Sequence, residues 1–245
     1  MLILAFETSA KSCSVALHDG QKLLAESYQN SGLTHSQTLM VMAEDLLKVC
    51  GKTAQDVTHV GVAAGPGSFT GVRIGVAAAK GFAWGAELPV YGVSTLDAMA
   101  RQVKLDGFYI CACMDARRNQ VYNAIFSTTG GDWRVTEDRA ISIGELKADL
   151  QKLNGTTILV GDGAELVYRT LGAELDLLTL PPEQCRHQRA SGVAEAALEA
   201  IRSGTPGDGA ALTPNYLRLS QAERERAERM QKAELEFSVH LTVIP

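Results

Sequence analysis

The sequence of 245 residues has no apolar run that approaches the roughly eighteen residues needed by a membrane-spanning helix. Its amino-terminal end has the pattern of a buried strand containing Glu7 rather than of a basic signal sequence. Hydrophobic residues still make up 46% of the chain, which is enough to bury a sizeable core. We therefore expect a cytoplasmic protein of one large or two modest domains, and two small domains fit the pattern better.

Cysteine is scarce and odd in number, and no CxxC pair suggests zinc or a redox couple. Residues 111 and 113 would share one face of a strand, where small buried hydrophobes are commoner than metal ligands. We predict reduced thiols in the core. The five cysteines are Cys13, Cys50, Cys111, Cys113 and Cys185.

Positive charge is also in short supply. The formal net charge is -5 and the isoelectric point is near 5.6. Because affinity for nucleic acid depends mainly on clustered Lys and Arg, these values argue against a broad phosphate-binding surface. Any contact with RNA would need a partner protein.

Hydrophobic patterning divides the first hundred residues into strands and helices. Short apolar or alternating segments predict strands, and a helical period after Thr34 predicts the first helix, which Thr34 or Ser36 can cap. Ser94 and Asp97 have the spacing of a capping box in a later helix. The predicted strands are residues 2–8, 14–20, 22–28, 58–65 and 89–93, and the predicted helices are residues 34–50, 71–85 and 94–103.

After residue 103 the same pattern begins again. Residues 109–126 repeat a strand, an acidic residue, a polar turn and a second strand, so that Asp115 matches Glu7. Residues 157–165 also end a strand in a glycine turn, and the repetition predicts an α/β fold of two related halves. The predicted segments are a first domain (1–105), a smaller second domain (106–208), a C-terminal helical segment packed on the first domain (209–237) and a tail without assigned structure (238–245).

The most informative motif is GPGSFTGVRIG at residues 65–75, a turn between a strand and a helix. Exposed amides at a helix amino terminus can bind phosphate, so we consider Glu7, Ser9, Ser68 and Thr70 as candidate nucleotide contacts. The motif matches neither a P-loop, nor the dinucleotide pattern GxGxxG, nor a GxSxG nucleophile elbow. A tight turn in which Ser68 or Thr70 caps the helix is the simpler interpretation, and both stay open.

The other polar residues form no recognisable catalytic motif. His35 has Leu39 rather than a second histidine one helical turn later, and HExxH is absent, so we expect His35 to cap the helix or to lie in an interface. Asp115, Arg117 and Arg118 form the densest charged cluster, in a turn between two strands. This cluster is either a solvated hairpin tip or a small polar contact, because arginine forks grip carboxylates and phosphates.

Both early helices carry more apolar surface than one sheet needs. An arc of about 180° on the first helix holds Leu39, Met40, Met42, Ala43, Leu46, Leu47, Val49 and Cys50. Only Arg73 and Lys80 are charged on the second helix. Such a surplus is what a stable protein interface requires, although coverage by the second domain is the alternative. The predicted interface consists of His35, Leu39, Met42, Leu46, Gly71, Gly75, Ala78 and Phe82.

Six segments carry a family resemblance, and together in this order they are specific. They are FETSAKSCSVAL (6–17), THSQTL (34–39), GPGSFTGVRIGVAAAKGFA (65–83), STLDAMA (94–100), DARRNQVY (115–122) and PNYLR (214–218). The chain resembles the TsaB family, also called YeaZ, over nearly its whole length. Glu7 stands where such proteins usually carry Asp, and the tail from Ser238 matches nothing in the family.

The resemblance implies an actin-like fold of the ASKHA, ribonuclease H-like class, with two related domains of mixed sheets and flanking helices. It implies a non-catalytic subunit in forming threonylcarbamoyladenosine (t6A) at adenosine 37 of tRNAs that read codons beginning with adenine. The implied partners are the catalytic relative TsaD and the ATPase TsaE, with a homodimer when TsaD is missing and tRNA met only indirectly through the complex. No cofactor of its own is implied, and ATP is a candidate only at the assembled complex.

Catalytic relatives hold a metal with two histidines in a segment resembling VNHMEGH. The equivalent stretch here is VSTLDAM (93–99), which places Thr95 and Met99 at the two ligand positions. Neither side chain coordinates such a cation well, so we predict no catalytic residue and no metal site. The alternative is an ATP-dependent kinase or hydrolase of the same fold. A peptidase is disfavoured because the sequence holds neither a zinc-ligand set nor a triad.

Overall fold

The computed structural model describes residues 1–218, and every element predicted in the first hundred residues is present. The strands are β1 (Ile3–Glu7), β2 (Cys13–His18), β3 (Leu23–Gln29), β4 (His59–Ala63), β5 (Val90–Val93), β6 (Tyr109–Asp115), β7 (Gln120–Ser127), β8 (Arg139–Ser142), β9 (Thr157–Val160) and β10 (Leu178–Thr179). The helices are α1 (His35–Val49), α2 (Phe69–Trp84), α3 (Thr95–Gln102), α4 (Ile143–Leu150), α5 (Ala164–Leu171) and α6 (Ala190–Arg202).

The described residues form two five-stranded mixed sheets with the same topology. The strand order is β3-β2-β1-β4-β5 in the first sheet and β8-β7-β6-β9-β10 in the second. In each sheet three strands form an antiparallel meander and two more add in parallel beside the first of them. This correspondence confirms the predicted repeat of two related halves with mixed sheets and flanking helices.

Alternate side chains of β1 divide the core of the first half into two layers. Leu4 and Phe6 belong to the cluster formed with α1 and α2, whereas Ile3 and Ala5 belong to the cluster formed with α6. Full burial of a side chain as large as Phe6 stabilises the fold by about 1.5–3 kcal/mol. The period of two in β1 therefore sets which helices cover each face of the sheet.

Helix α6 follows the second sheet along the chain but packs on the first. The backbone N–H of Ala190 donates to Ser14 Oγ at 2.7 Å, and a Cβ added to Gly61 in β4 would lie 3.0 Å from the Ala197 Cβ. The predicted second domain, residues 106–208, thus contains a helix that packs on the sheet of the predicted first domain, residues 1–105. The limits of the two domains stay a prediction.

The caps of α1 and α3 follow the predicted positions but not every predicted contact. Thr34 stands at the N-cap of α1 without a side-chain cap bond. Ser94 Oγ accepts from the Asp97 N–H at 3.2 Å, whereas the Asp97 carboxylate is bonded to Arg101 at 2.8 Å. Only half of the predicted capping box therefore forms.

The cysteines are all free, and the prediction of core thiols holds for three of them. Cys13, Cys111 and Cys113 are buried, and the last two lie on one face of β6 with their sulfur atoms 3.4 Å apart. The prediction is wrong for Cys185, which is exposed, and Cys50 is only partly buried.

Residues 209–218 form a segment, here called the strap, that runs beside α2. Lys80 Nζ donates to the carbonyls of Ala210 and Leu212 at 3.4 and 3.0 Å. The strap is the non-helical start of the predicted segment 209–237, whose helix is predicted to begin at Ser220. The rest of that segment, with its capping box, and the tail 238–245 lie outside the described residues. Up to residue 218, no helix is long and apolar enough to cross a membrane.

Three glycines four residues apart allow α2 to lie directly on the turn that follows β1. A Cβ added to Gly67 would come within 2.6 Å of the Ser9 carbonyl oxygen, and one on Gly71 or Gly75 would overlap an oxygen of Thr8. The Thr8 hydroxyl also donates to the Gly71 carbonyl at 2.8 Å. The glycine spacing in GPGSFTGVRIG therefore serves the packing of α2 on the β1 turn.

We predict that Gly71→Ala lowers the free energy of unfolding by about 2 kcal/mol or more, because the methyl group would meet a backbone oxygen that cannot move aside. The matched control is Gly81→Ala in the same helix, where nothing lies within 4 Å of the added atom. This control should raise the free energy of unfolding by about 0.5–1 kcal/mol. Urea unfolding of both variants checks the pair, and equal effects would contradict the packing described above.

Candidate functional site

The β1 turn and the glycine-rich turn meet where the two halves of the chain adjoin. Gln188 bridges the halves, since its Nε2 donates to Asp162 Oδ1 at 3.1 Å and its carbonyl accepts from Ser12 Oγ at 3.3 Å. Asp162 follows β9 as the glycine-rich turn follows β4, so the internal repeat could have identified it from the sequence. It was not among the predicted site residues.

The two turns are joined through their backbones. The Ser68 N–H donates to the Ser9 carbonyl at 2.6 Å, and Ser68 Oγ accepts from the Gly71 N–H at 3.3 Å. Ser68 is therefore the N-cap of α2, which confirms the first of the two predicted capping residues. Thr70, the other candidate, lies exposed in the first turn of the helix.

The four candidate nucleotide contacts fall into two pairs with opposite surroundings. Glu7 and Ser9 are 1% and 0% exposed, because the glycine-rich turn and α2 cover the end of β1. Ser68 and Thr70 lie on the outer side of the same turn. The structure thus joins the backbones at this junction but does not direct the four side chains into one open cleft, and their nucleotide role stays a prediction.

Glu7 is a buried carboxyl group of this junction with a raised pKa. Its Oε1 accepts from the Ser9 N–H at 2.5 Å, and its buried Oε2 has no hydrogen-bond partner. Burial raises the pKa of Glu7 from an ordinary 4.5 to about 7, hydrogen bonds from Ser9 oppose the rise, and the charge of Asp162 adds to it. Burial likewise raises the pKa of Asp162. The junction therefore disfavours the simultaneous ionisation of Glu7 and Asp162.

Thr95 and Met99, which stand at the metal-ligand positions of the resembling catalytic proteins, are core residues. They are 0% and 1% exposed, and Met99 packs with Leu96 between α3 and the second sheet. A Cβ added to Gly161 would lie 3.0 Å from the Met99 sulfur, so α3 is closely packed there. In the described part of the chain, no three His, Cys, Asp or Glu side chains are grouped to hold a metal ion.

The interface prediction is corrected for four of its eight residues. Leu39 and Leu46 are 1% and 7% exposed in the core beneath α1, and Gly71 and Gly75 contact the β1 turn. These four are buried within the chain and do not offer side chains to a partner. A partner role for His35, Met42, Ala78 and Phe82, which are partly buried, stays a prediction.

His35 lies at the first position of α1, as expected, but its side chain turns inward. Its Nε2 lies 2.8 Å from the Ala10 carbonyl oxygen, to which the ring N–H donates. This bond ties α1 to the turn between β1 and β2.

The exposed faces of α1 and α2 lie one position away from the predicted ones. On α1, Met40 and Val41 are 43% and 56% exposed. On α2 the exposed stripe ends at Trp84, whose side chain is 83% exposed. The stripe consists of Thr70, Arg73, Ala77, Gly81 and Trp84.

The turn between β6 and β7 has an uncommon backbone. Arg117, Arg118 and Asn119 are exposed and have φ angles of 63°, 56° and 56°, in the left-handed region that costs most residues about 1–2 kcal/mol each. The Gln120 N–H donates to the Arg117 carbonyl at 3.2 Å, which closes the turn. The sequence predicted a polar turn here, and Asn119 is a residue type that favours left-handed backbone, but the two arginines before it gave no such signal.

Comparison with known proteins places these features in a family. Residues 29–225 match the family model described as TsaD: tRNA N6-adenosine threonylcarbamoyltransferase. The chain is 37% identical to the tRNA threonylcarbamoyladenosine biosynthesis protein TsaB of Escherichia coli K12, covering 73% of this chain and 78% of that protein. It is 30% identical to TsaB of Bacillus subtilis 168, covering 93% of this chain and 99% of that protein.

Solved structures agree with this result at the level of the fold. YeaZ from Pseudomonas aeruginosa superposes with a TM-score of 0.69 at 25% identity, covering 88% of this chain and 99% of that one. An uncharacterised protein with similarity to peptidase YeaZ, also from P. aeruginosa, gives 0.72 at 24% identity, covering 89% and 99%. The predicted actin-like fold is confirmed.

We predict that Glu7 makes the stability of the chain fall with rising pH. The folded chain holds the Glu7 proton up to about pH 7, whereas the unfolded chain releases it near pH 4.5. The contribution of Glu7 to the free energy of unfolding should therefore fall by about 3 kcal/mol across this window and stay constant above it.

Glu7→Gln removes this titration while keeping the shape of the side chain. Urea unfolding at a series of pH values should show the variant and the original chain with similar stability near pH 4.5 and the variant more stable at pH 7.5. A constant difference between the two at all pH values would show that Glu7 does not carry a raised pKa.

Proposed function

The chain belongs to the TsaB family, also called YeaZ, of tRNA threonylcarbamoyladenosine biosynthesis proteins, and we propose that it is a non-catalytic subunit of that pathway. In this proposal it pairs with TsaD and activates it, together with the ATPase TsaE. The complex forms t6A at adenosine 37 of tRNAs that read codons beginning with adenine.

The burial of Thr95 and Met99 is the observation that carries the proposal. Both side chains are buried, and Met99 packs between α3 and the second sheet, so the segment that matches the metal-binding segment of catalytic relatives contributes to the contact between the two halves. Neither side chain is a good ligand for a hard or borderline cation. A chain with this core supports its catalytic relative instead of carrying out the transfer itself.

The exposed faces of α1 and α2 support a pairing role. Val41 and Trp84 expose large apolar surfaces, and Gly81 is exposed in mid-helix, where alanine would be more stable by about 0.5–1 kcal/mol. Small residues flanked by large apolar ones allow two helices to approach closely. We infer that Val41, Ala77, Gly81 and Trp84 contact the partner.

The match to the TsaD family model supports TsaD as that partner. Homodimers commonly use one self-complementary patch around a two-fold axis. A relative with the same fold presents matching helices, so it can replace one copy in such a pair. The isolated chain would then form a homodimer, and TsaD would convert it to a heterodimer.

Binding of ATP and tRNA belongs to the assembled complex in this proposal. The covered position of Glu7 and Ser9 argues against nucleotide bound by the chain alone. The formal net charge of -5 argues against tRNA affinity of the isolated chain.

Reconstitution tests the proposed function. Purified TsaD, TsaE, substrate tRNA, threonine, bicarbonate, ATP and the enzyme that makes the threonylcarbamoyl adenylate should give t6A only when this chain is present. Full modification without the chain would contradict the proposal. Metal-dependent ATP turnover by the isolated chain, lost in Glu7→Gln, would favour the kinase or hydrolase alternative.

We predict that Val41→Asp weakens pairing with TsaD at least tenfold, or about 1.4 kcal/mol, because it places a charge in an apolar interface. Val135→Asp is the matched control, since Val135 is 44% exposed in the second half of the chain, away from α1 and α2. Calorimetric titration of each variant with TsaD measures the effect.

Equal weakening by Val41→Asp and Val135→Asp would contradict this interface. Leu39→Asp is unsuitable for the test, because it would bury a charge in the core and unfold the chain.

A further inference from the structure

A groove lies at the carboxyl end of α2, between that helix and the strap. Its volume is about 360 Å³, and Lys80, Trp84 and Glu87 line it together with Ala210 of the strap. Lys80 Nζ is bound to the strap, since it donates to the carbonyls of Ala210 and Leu212. The groove therefore offers a ligand the Trp84 ring and the Glu87 carboxylate.

Both of these groups lack a partner within residues 1–218. Most of the Trp84 side chain is exposed, and no Arg or Lys of this part of the chain lies over its ring. The exposed Glu87 carboxylate forms neither a hydrogen bond nor an ion pair there. An aromatic face, a carboxylate and the negative end of a helix dipole each attract a cation. The groove is therefore suited to a guanidinium or ammonium group.

The opposite end of α2 carries a guanidinium group that is held in place. Arg73 Cζ lies 3.8 Å from the centre of the Phe69 ring, and its Nε donates to the Tyr216 hydroxyl at 2.7 Å. Its two Nη atoms have no acceptor in the part of the chain that the structure describes. A guanidinium fixed in this way loses less freedom when it binds a carboxylate.

The exposed stripe of α2 is complementary to itself. Arg73 and Gly81 each lie four residues from Ala77, and Thr70 and Trp84 each lie seven residues from it. In two antiparallel α2 helices related by a two-fold axis at Ala77, Arg73 therefore faces Gly81, and Trp84 faces Thr70. Each large side chain meets a smaller one, as close packing of two helices requires.

This arrangement also brings the guanidinium to the groove of the second copy. Because Arg73 lies over Phe69, its charged group is directed towards the amino end of α2. An antiparallel second copy presents the carboxyl end of its α2, with Trp84 and Glu87, at that level. The two-fold axis forms the same contact twice in each dimer.

We propose that the homodimer of this chain forms through antiparallel α2 helices, with Arg73 of each copy bound between Trp84 and Glu87 of the other. The proposed function supplies the homodimer on which this contact rests. A second copy is the occupant of the groove, because α2 itself provides both the cation and the site that is complementary to it.

Charge reversal tests the contact by sedimentation equilibrium of the isolated chain. Arg73→Glu alone and Glu87→Arg alone each place like charges together at both contacts, so the dimer dissociation constant should rise at least about tenfold for either variant. Glu87→Gln, which keeps the shape of an exposed side chain, should raise it about threefold.

An equimolar mixture of Arg73→Glu and Glu87→Arg should dimerise again. Each mixed dimer then has one original and one reversed pair of opposite charges, so its dissociation constant should lie within about threefold of the original. A mere disturbance of the fold by either substitution would not be repaired by mixing.

Arg169→Glu is the matched control, because this side chain is 77% exposed on α5, in the second half of the chain. It should leave the dimer unchanged, and mixing it with Glu87→Arg should not restore pairing. If the original chain dimerises and neither the reversals nor Glu87→Gln weaken the dimer, the inference is overturned while pairing with TsaD stands. If the original chain stays monomeric, the inference fails together with the proposed homodimer, and t6A reconstitution still decides the role with TsaD.

Discussion

The close contact between α2 and the turn after β1 is the constraint on which the rest of the first half depends. Thr8 touches Gly71 and Gly75 through its backbone and its hydroxyl, and a side chain at either glycine would separate the helix from the sheet. The contact covers Glu7 and fixes which face of α2 remains exposed. The glycine-rich sequence, which was considered as a candidate phosphate site, is therefore used for helix packing.

This covering has an electrostatic consequence. A carboxyl group with a pKa near 7, with one oxygen unpartnered and a second acid nearby, is poorly suited to hold a nucleotide-bound cation in its ionised form. The metal-ligand positions of catalytic relatives are likewise unsuited to hold a cation here, because Thr95 and Met99 are buried in α3. Glu7 and the two residues at the metal-ligand positions of catalytic relatives are therefore all buried in this chain.

The sequence predicted the order and type of the early elements well, because strand and helix periods differ and each turn has its own residues. It could not distinguish Leu39 from Met40, which are neighbours on one broad apolar arc, since only the position of the sheet decides which one is buried. It also could not separate Gly71 from Gly81, which have the same chemistry but opposite surroundings. The left-handed run at residues 117–119 could not be predicted, because arginine seldom adopts this conformation and Asn119 alone does not indicate a run of three.

The two halves share a topology but expose different turns. The strap forms hydrogen bonds to elements of both halves. It is bound to α2 through Lys80, to the glycine-rich turn through the Asn215 N–H on the Ala64 carbonyl at 2.6 Å, and to the β6–β7 tip through Arg218. A partner on α2 would therefore contact a hydrogen-bonded unit that reaches into the second half of the chain. Because these hydrogen bonds connect α2 to the β6–β7 turn, docking of the partner on α2 would also restrict the position of that turn.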